Sequence, residues 1–249
     1  MPWSRFAPPD VPRRSDWLTA RPYAHRGLHD SGRIENSRAA FVAAIDAGVG
    51  IEIDVRAARD GTVFVFHDAT FDRLCGRPGA IAALDGDAVA AITLKDCGEK
   101  IPTLAEILTL IGTRVPLLIE LKSFSPTNHA LCWAVADQLA GYDGPAAVMS
   151  FDPALLRWFA RNAPLITRGL VVSEEDRRNI RGLLGRSLGL MFSRPGFLAY
   201  DVRSLPSSFA ARSRELDLPV LAWTVRSEAE RATAAVHADQ IIFEREMTA

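Results

Sequence analysis

Gly50-Ile51-Glu52-Ile53-Asp54-Val55 alternates apolar and acidic residues at the period of a β-strand. Side chains two apart share a face, so Ile51, Ile53 and Val55 point one way and Glu52 and Asp54 the other. In a closed parallel sheet wrapped by helices, the first set meets the helices and the second points inward. Two enclosed carboxylates repel one another and lose hydration, so something cationic must offset them.

Outward from this stretch, short apolar runs alternate with helical patterns, the rhythm of repeated βα units. Strands are expected at 23–25, 50–55, 116–122, 146–150, 167–172, 197–202, 219–225 and 240–243. Helices are expected at 38–47, 103–111, 128–139, 153–161, 174–184, 207–216 and 227–236. Asn36 or Ser37 can cap the first helix, Thr103 with Glu106 fits a capping box, and Asp152-Pro153 sets a capping carboxylate before a helix-starting proline. Residues 185–194 read equally as strand or helix. Eight strands in 249 residues match the ~250 of a single (β/α)8 TIM barrel, an α/β fold. The chain up to residue 22 reads as an extended arm against that barrel. Residues 62–67 form an extra extended segment entered by an Asp60-Gly61 turn. Residues 69–101 are rich in Gly, Ala and Asp and break the rhythm. The expectation is one domain over 1–249, with a small lid-like insertion after the second strand at about 69–101.

With 48% hydrophobic residues, 24% charged and a net charge of −1, the chain carries no basic track, which argues against nucleic acid as a partner. Cys75, Cys97 and Cys132 lack metal-ligand spacing and read as reduced thiols, with a Cys75–Cys97 bridge as the alternative. The N-terminal stretch has charge and proline but no apolar core, so it does not read as a signal peptide. No apolar run approaches the ~20 residues of a membrane span. These readings place the protein in the cytoplasm without a membrane anchor.

The strand after Val55 in the barrel reads Leu117-Leu118-Ile119-Glu120-Leu121-Lys122, with Glu120 and Lys122 on one face. One inward acid alone would read as an ordinary ion pair. Three of them, Glu52, Asp54 and Glu120, suit a single divalent cation, Mg²⁺ or Ca²⁺ with Mn²⁺ as a third candidate. His25 and His67 end extended segments at the rim where barrel enzymes react, and two imidazoles can act as acid and base. Arg26 and Lys122 offer positive charge for an anionic substrate, or simply neutralise the acids. Trp223 shares an inward face with Leu221 and Val225 in a regular strand, as core or as substrate wall. His29, His129 and His237 read as structural.

His25-Arg26-Gly27, Glu35-Asn36-Ser37, Ala40-Phe41, Ile51–Val55, Asp60-Gly61 and His67-Asp68 together resemble the signature of the glycerophosphodiester phosphodiesterase family. Ile101-Pro102-Thr103-Leu104, Glu120-Leu121-Lys122 and Trp223-Thr224-Val225 continue the match in order. The resemblance implies a barrel with an inserted lid, a divalent metal on Glu52, Asp54 and Glu120, His25 and His67 as an acid/base pair, and Arg26 on the phosphate. Two departures stand out: Ile241-Ile242-Phe243-Glu244 where the family has an Ile-Thr-Asp pattern, and Cys75 where threonine is common. The expected reaction releases an alcohol and glycerol 3-phosphate from a small-molecule diester. A deacylated substrate is favoured because no amphipathic anchor is evident. A lipid-acting relative would show an apolar rim at the mouth, and a silent phosphoester-binding barrel would show no turnover.

Overall fold

All eight expected barrel strands form in the computed structural model, which describes residues 16–122, 129–175 and 179–245. They are β1 (Tyr23–His25), β2 (Gly50–Ala57), β4 (Leu117–Leu121), β5 (Ala146–Ser150), β6 (Thr167–Val172), β7 (Phe197–Asp201), β8 (Val220–Val225) and β9 (Gln240–Phe243). The extra segment is β3 (Val63–Val65), antiparallel on the edge of β2. The parallel strands run β1-β9-β8-β7-β6-β5-β4-β2, and β1 pairs with β2 to close the barrel.

Helices α1 (Asp16–Ala20), α2 (Arg38–Asp46), α3 (Asp72–Cys75), α4 (Gly86–Ala90), α5 (Leu104–Ile111), α6 (Ala130–Ala140), α7 (Pro153–Asn162), α8 (Ile180–Ser193), α9 (Ser208–Glu215) and α10 (Glu228–His237) complete the described elements. Local chemistry starts several of them. Ser37 caps α2, Thr103 and Glu106 make a reciprocal capping box on α5, and Asp152 caps α7 ahead of Pro153. The first residue of the 128–139 expectation and residues 176–178 of the 174–184 expectation lie outside the described residues. Within them, α8 begins late, capped by Asn179, and runs through 185–193 to Arg194 and Pro195. Residues 185–194, open between strand and helix from sequence, are thus helical up to Ser193, with packing on the barrel outweighing the low helix propensity of Gly185 and Gly189.

Two apolar layers hold the barrel. Ile51, Ile53 and Val55 are fully buried against Leu104, Ile107, Ile111, Leu131 and Val135 of the surrounding helices. Each such burial contributes about 1.5–3 kcal/mol, which makes this interface the principal support of β2. Inside, Tyr23, Leu118, Met149, Phe197, Leu221 and Ile242 fill the lower barrel. Large and small residues alternate there. A Cβ on Gly50 would lie 2.6 Å from the Tyr23 ring, and one on Gly169 would lie 2.2 Å from the Phe197 ring. The part of the N-terminal arm from Asp16 is a helix rather than an extended segment. Leu18 and Trp17 of α1 plug the floor, where Leu18 O accepts from Tyr23 Oη at 3.0 Å. Residues 1–15 lie outside the described ones.

β8 departs from the regular strand expected. Its pairing with β9 shifts register between Ala222 and Val225. Leu221 and Trp223 face the interior, whereas Val225 packs in the outer layer with Val220 and Ala222. Residues 69–101 form a small unit with its own core, Phe71, Leu74, Ile81, Val89, Ile92 and Ile101, set on Phe64 and Phe66. All three cysteines are free thiols. Among the described residues no helix is long and apolar enough to cross a membrane.

Candidate active site

β2 and β4 are in register so that Asp54 stands beside Glu120, while β1 places His25 beside Glu52. One carboxylate oxygen from each of Glu52, Asp54 and Glu120 lies within 4.8 Å of the others, and all three residues are buried. At that separation each pair of charges repels by about 3.5 kcal/mol at an effective dielectric of about 20.

The nearby cations offset only part of this. Lys122 Nζ lies 2.7 Å from Glu120 Oε1 and 3.2 Å from Asp54 Oδ1. Arg26 Nε is 3.1 Å from Asp54 Oδ2 without hydrogen-bond alignment, and its Nη1 is shared out to Glu35 Oε1 at 2.8 Å. The Arg26 backbone N–H donates to Glu52 Oε2 at 3.0 Å, held there by a left-handed φ of 57°. Asn36 Nδ2 donates to Asp54 Oδ2 at 3.2 Å. Glu52 Oε1 is buried and receives no hydrogen bond. A buried carboxylate oxygen left bare is costly. An all-oxygen donor set with an unsatisfied member fits a hard divalent cation, and no thiol intrudes.

Burial and mutual repulsion move the three acids in different directions. Burial, reinforced by Asp54 and Glu120, pushes Glu52 well above the ordinary carboxylate range. Burial also pushes Glu120 up to about 7 against the pull of Lys122. For Asp54 burial acts upward too, but Lys122, Arg26 and the two histidines outweigh it and hold it low.

His25 and His67 are each fixed through Nδ1. His25 Nδ1 lies 2.5 Å from Glu244 Oε1, and its Nε2 lies 3.9 Å from Glu52 Oε2. His67 Nδ1 lies 2.7 Å from Asp68 Oδ1, and its backbone carbonyl accepts from Arg56 Nε at 2.7 Å. Burial lowers the pKa of both, and neighbouring carboxylates partly restore it. His25 stands at Glu52, and Phe66 N donates to Asp54 O at 2.9 Å, which sets the following His67 beside the triad.

Two holders behind these rings were not anticipated. Glu244 is clamped by Arg226 Nε at 2.6 Å, and the bonds from His25 and Arg226 overcome burial to hold it at about 2. Arg73, from the inserted unit, forks between Glu35 and Asp68 with four bonds of 2.7–2.9 Å. Asp68 is thereby held at about 2 in spite of burial. Glu244 had a readable signal, a carboxylate one residue beyond a barrel strand. It restores an acid where the Ile-Thr-Asp departure had left doubt. Arg73 had none. Trp223 is partly buried, its Nε1 has no partner, and Phe151 meets its ring edge-on at 5.5 Å. His29 carries no carboxylate partner on its buried Nε2, and His129 stacks near Trp158, away from this rim.

The glycerophosphoryl diester phosphodiesterase family profile matches residues 25–245 of the 249. A glycerophosphodiester phosphodiesterase of Caldanaerobacter subterraneus subsp. tengcongensis is 33% identical over 161 residues, 59% of this chain and 65% of that protein. A probable glycerophosphodiester phosphodiesterase 2 of Mycobacterium tuberculosis is 39% identical over 43% of this chain and 42% of its own. The matches thus span from under half to about two thirds of these relatives' length. Among solved structures, an Oleispira antarctica phosphodiesterase in complex with the product sn-glycerol-3-phosphate superposes with a TM-score of 0.77 at 24% identity, covering 89% of this chain and 91% of that one. At that identity the likeness speaks for the fold. With the signature running from the first barrel strand past the last, the chain belongs to the glycerophosphoryl diester phosphodiesterase family.

Proposed function

We propose that this protein hydrolyses glycerophosphodiesters to an alcohol and glycerol 3-phosphate, with one divalent cation held by Glu52, Asp54 and Glu120. The observation that carries this reading is the buried acid triad with a bare oxygen, flanked by two histidines that are each held by a carboxylate. Mg²⁺ and Ca²⁺ suit the donors best, with Mn²⁺ a third candidate. Such an ion supplies positive charge to a phosphoryl oxygen and acidifies an adjacent hydroxyl.

The protein's own groups do the rest. Arg26 and Lys122, both partly exposed at the mouth, stabilise charge that builds on the phosphoryl oxygens. Glu244 and Asp68 occupy the Nδ1 positions, so each imidazole exchanges its proton through Nε2. One ring takes the proton of the attacking oxygen and the other delivers one to the leaving alkoxide. Trp223, with the half-exposed Phe151 edge-on against its ring, forms a wall of the substrate mouth. The free thiols fit a reducing, cytoplasmic setting.

A second reading has one observation in its favour. Phe151 is half-exposed beside Trp223 and Lys122, an apolar element at the mouth that an acyl chain could use. Hydrolysis of glycerophosphocholine, glycerophosphoethanolamine, lysophosphatidylcholine and phosphatidylcholine under matched metal conditions separates the two. The deacylated diesters should be turned over fastest. Preference for either acylated lipid overturns the first reading.

A further inference from the structure

Helix α8 turns its apolar side chains to solvent. Leu184, Leu188, Met191 and Phe192 follow the spacing of a single helical stripe and are 57%, 61%, 44% and 50% exposed. The helix packs on the barrel through Gly189, Leu190 and the buried Ser193 instead. A contiguous stripe of this kind marks an interaction surface more often than an accident of packing.

Among the described residues, the charged side chain that touches the stripe is an arginine. Residues 153–173 and 177–200 contain no Asp or Glu, in a chain whose net charge is −1. Arg157 and Arg161 of α7 and Arg194 at the end of α8 border the stripe. The Arg157 guanidinium lies 5.4 Å over the Phe192 ring, and its Nη1 donates to Phe192 O at 3.4 Å. Desolvation, then the like charges of Arg161 and Arg194, draw Arg157 below its ordinary range. The acids that bound these runs are Asp152, Glu174, Glu175, Asp176 and Asp201, of which Glu174 pairs with Arg186 and Glu175 with Arg203.

Three classes of partner can be weighed against this composition. A two-fold contact with a second copy would set these arginines against their own counterparts, and among the described residues no carboxylate pairs with Arg157, Arg161 or Arg194. A solvated polyanion would meet the arginines and leave the stripe wet. An anionic bilayer surface meets both needs, with headgroup charge for the guanidinium groups and an apolar boundary for the leucines. From Leu184 to Phe192 the stripe is about 12 Å long. We propose that the α8 face docks this protein reversibly on anionic lipid surfaces. This goes beyond the catalytic reading and does not rest on it. It also revises the expectation from sequence that no amphipathic element is present.

The test is flotation of the whole protein with vesicles of phosphatidylcholine alone or with about 30 mol% phosphatidylglycerol. Binding should require phosphatidylglycerol and be lost at about 0.5 M salt. Each arginine near such a surface is worth about fivefold in affinity, so Arg157→Gln with Arg161→Gln should weaken binding about 25-fold. Leu188→Asp with Met191→Asp should abolish it and leave both thermal unfolding and turnover of glycerophosphocholine unchanged. Equal binding to both vesicle types, no binding to either, or binding indifferent to Leu188→Asp overturns the proposal. A dimer that Leu188→Asp dissociates would assign the face to a second copy and overturn it equally.

Discussion

Replacing Glu120 by Gln removes one charge from the acid triad and keeps the shape of the side chain. In the metal-free protein, burial pushes Glu120 from 4.5 up to about 7. Its folded value therefore lies above its unfolded one, and the folded state binds the proton more tightly. That stabilisation is complete below about pH 4.5 and is lost as pH rises through about 7. About 2.5 units at about 1.4 kcal/mol each make the loss about 3 kcal/mol. Gln carries no charge to desolvate, so metal-free Glu120→Gln protein should exceed the parent by about 3 kcal/mol above pH ~7, and equal it near pH ~4.5. For a chain of this size that is a rise in Tm on the order of 6–12 °C. Divalent cation reverses the order. The parent gains about 2.7 kcal/mol at a hundredfold excess over Kd, and the variant, with a ligand lost, gains little. Thermal unfolding followed by circular dichroism, in chelator and in Mg²⁺, Ca²⁺ or Mn²⁺, from about pH 5 to about pH 8.5, reads both effects. A variant less stable than the parent in alkaline chelator, or equal stabilisation of both by metal, refutes the reasoning.

His25→Ala and His67→Ala should each lower diesterase turnover by ~10²–10⁴. A diester with a good leaving group should rescue only the variant lacking the general acid, with Glu244→Gln sharing part of the His25 loss. Equal rescue of both histidine variants, or of neither, contradicts a divided acid/base role. Replacing residues 69–101 by a short Gly-rich linker, with Phe64 and Phe66 made polar because they lose their cover, should leave a folded barrel with a raised KM and, because Arg73 no longer holds Asp68, a lowered turnover. Global unfolding by circular dichroism would show that the insertion is integral to the core.

Strand periodicity carried most of the architecture. Alternation in Gly50–Val55 oriented Glu52 and Asp54 correctly because a one-residue slip would have turned Ile51, Ile53 and Val55 away from the helices that bury them. Capping chemistry at Thr103 and Asp152 was equally local and equally readable. Val225 was misassigned to the inner face because alternation assumes a regular strand, and the shift beyond Ala222 breaks that regularity. The partners of the two histidines were harder to see. Glu244 and His25 are 219 positions apart and meet only because β9 closes on β1. That neighbourhood follows from the topology once eight strands are accepted, so a carboxylate just past the last strand was deducible at the rim of the first. Arg73 was not. Its reach to Glu35 and Asp68 depends on how a non-repeating insertion folds, and no period constrains that.

Helix α8 shows the limit of patterning from the other side. Reading a helix from its apolar spacing presumes that the apolar stripe faces the core. In α8 the barrel receives the small residues Gly189 and Ser193, and the larger Leu184, Leu188 and Met191 face outward. Local sequence specifies such a stripe without saying which way it points, because orientation is decided by what the neighbouring strands can accommodate. β6 and β7 already present Leu170 and Leu198 to the space beneath α8. Little volume remains there for another row of leucines. Leu184 and Leu188, unlike Leu190, are therefore surplus to the packing of the barrel, and an arginine-bordered surface is where that surplus is displayed.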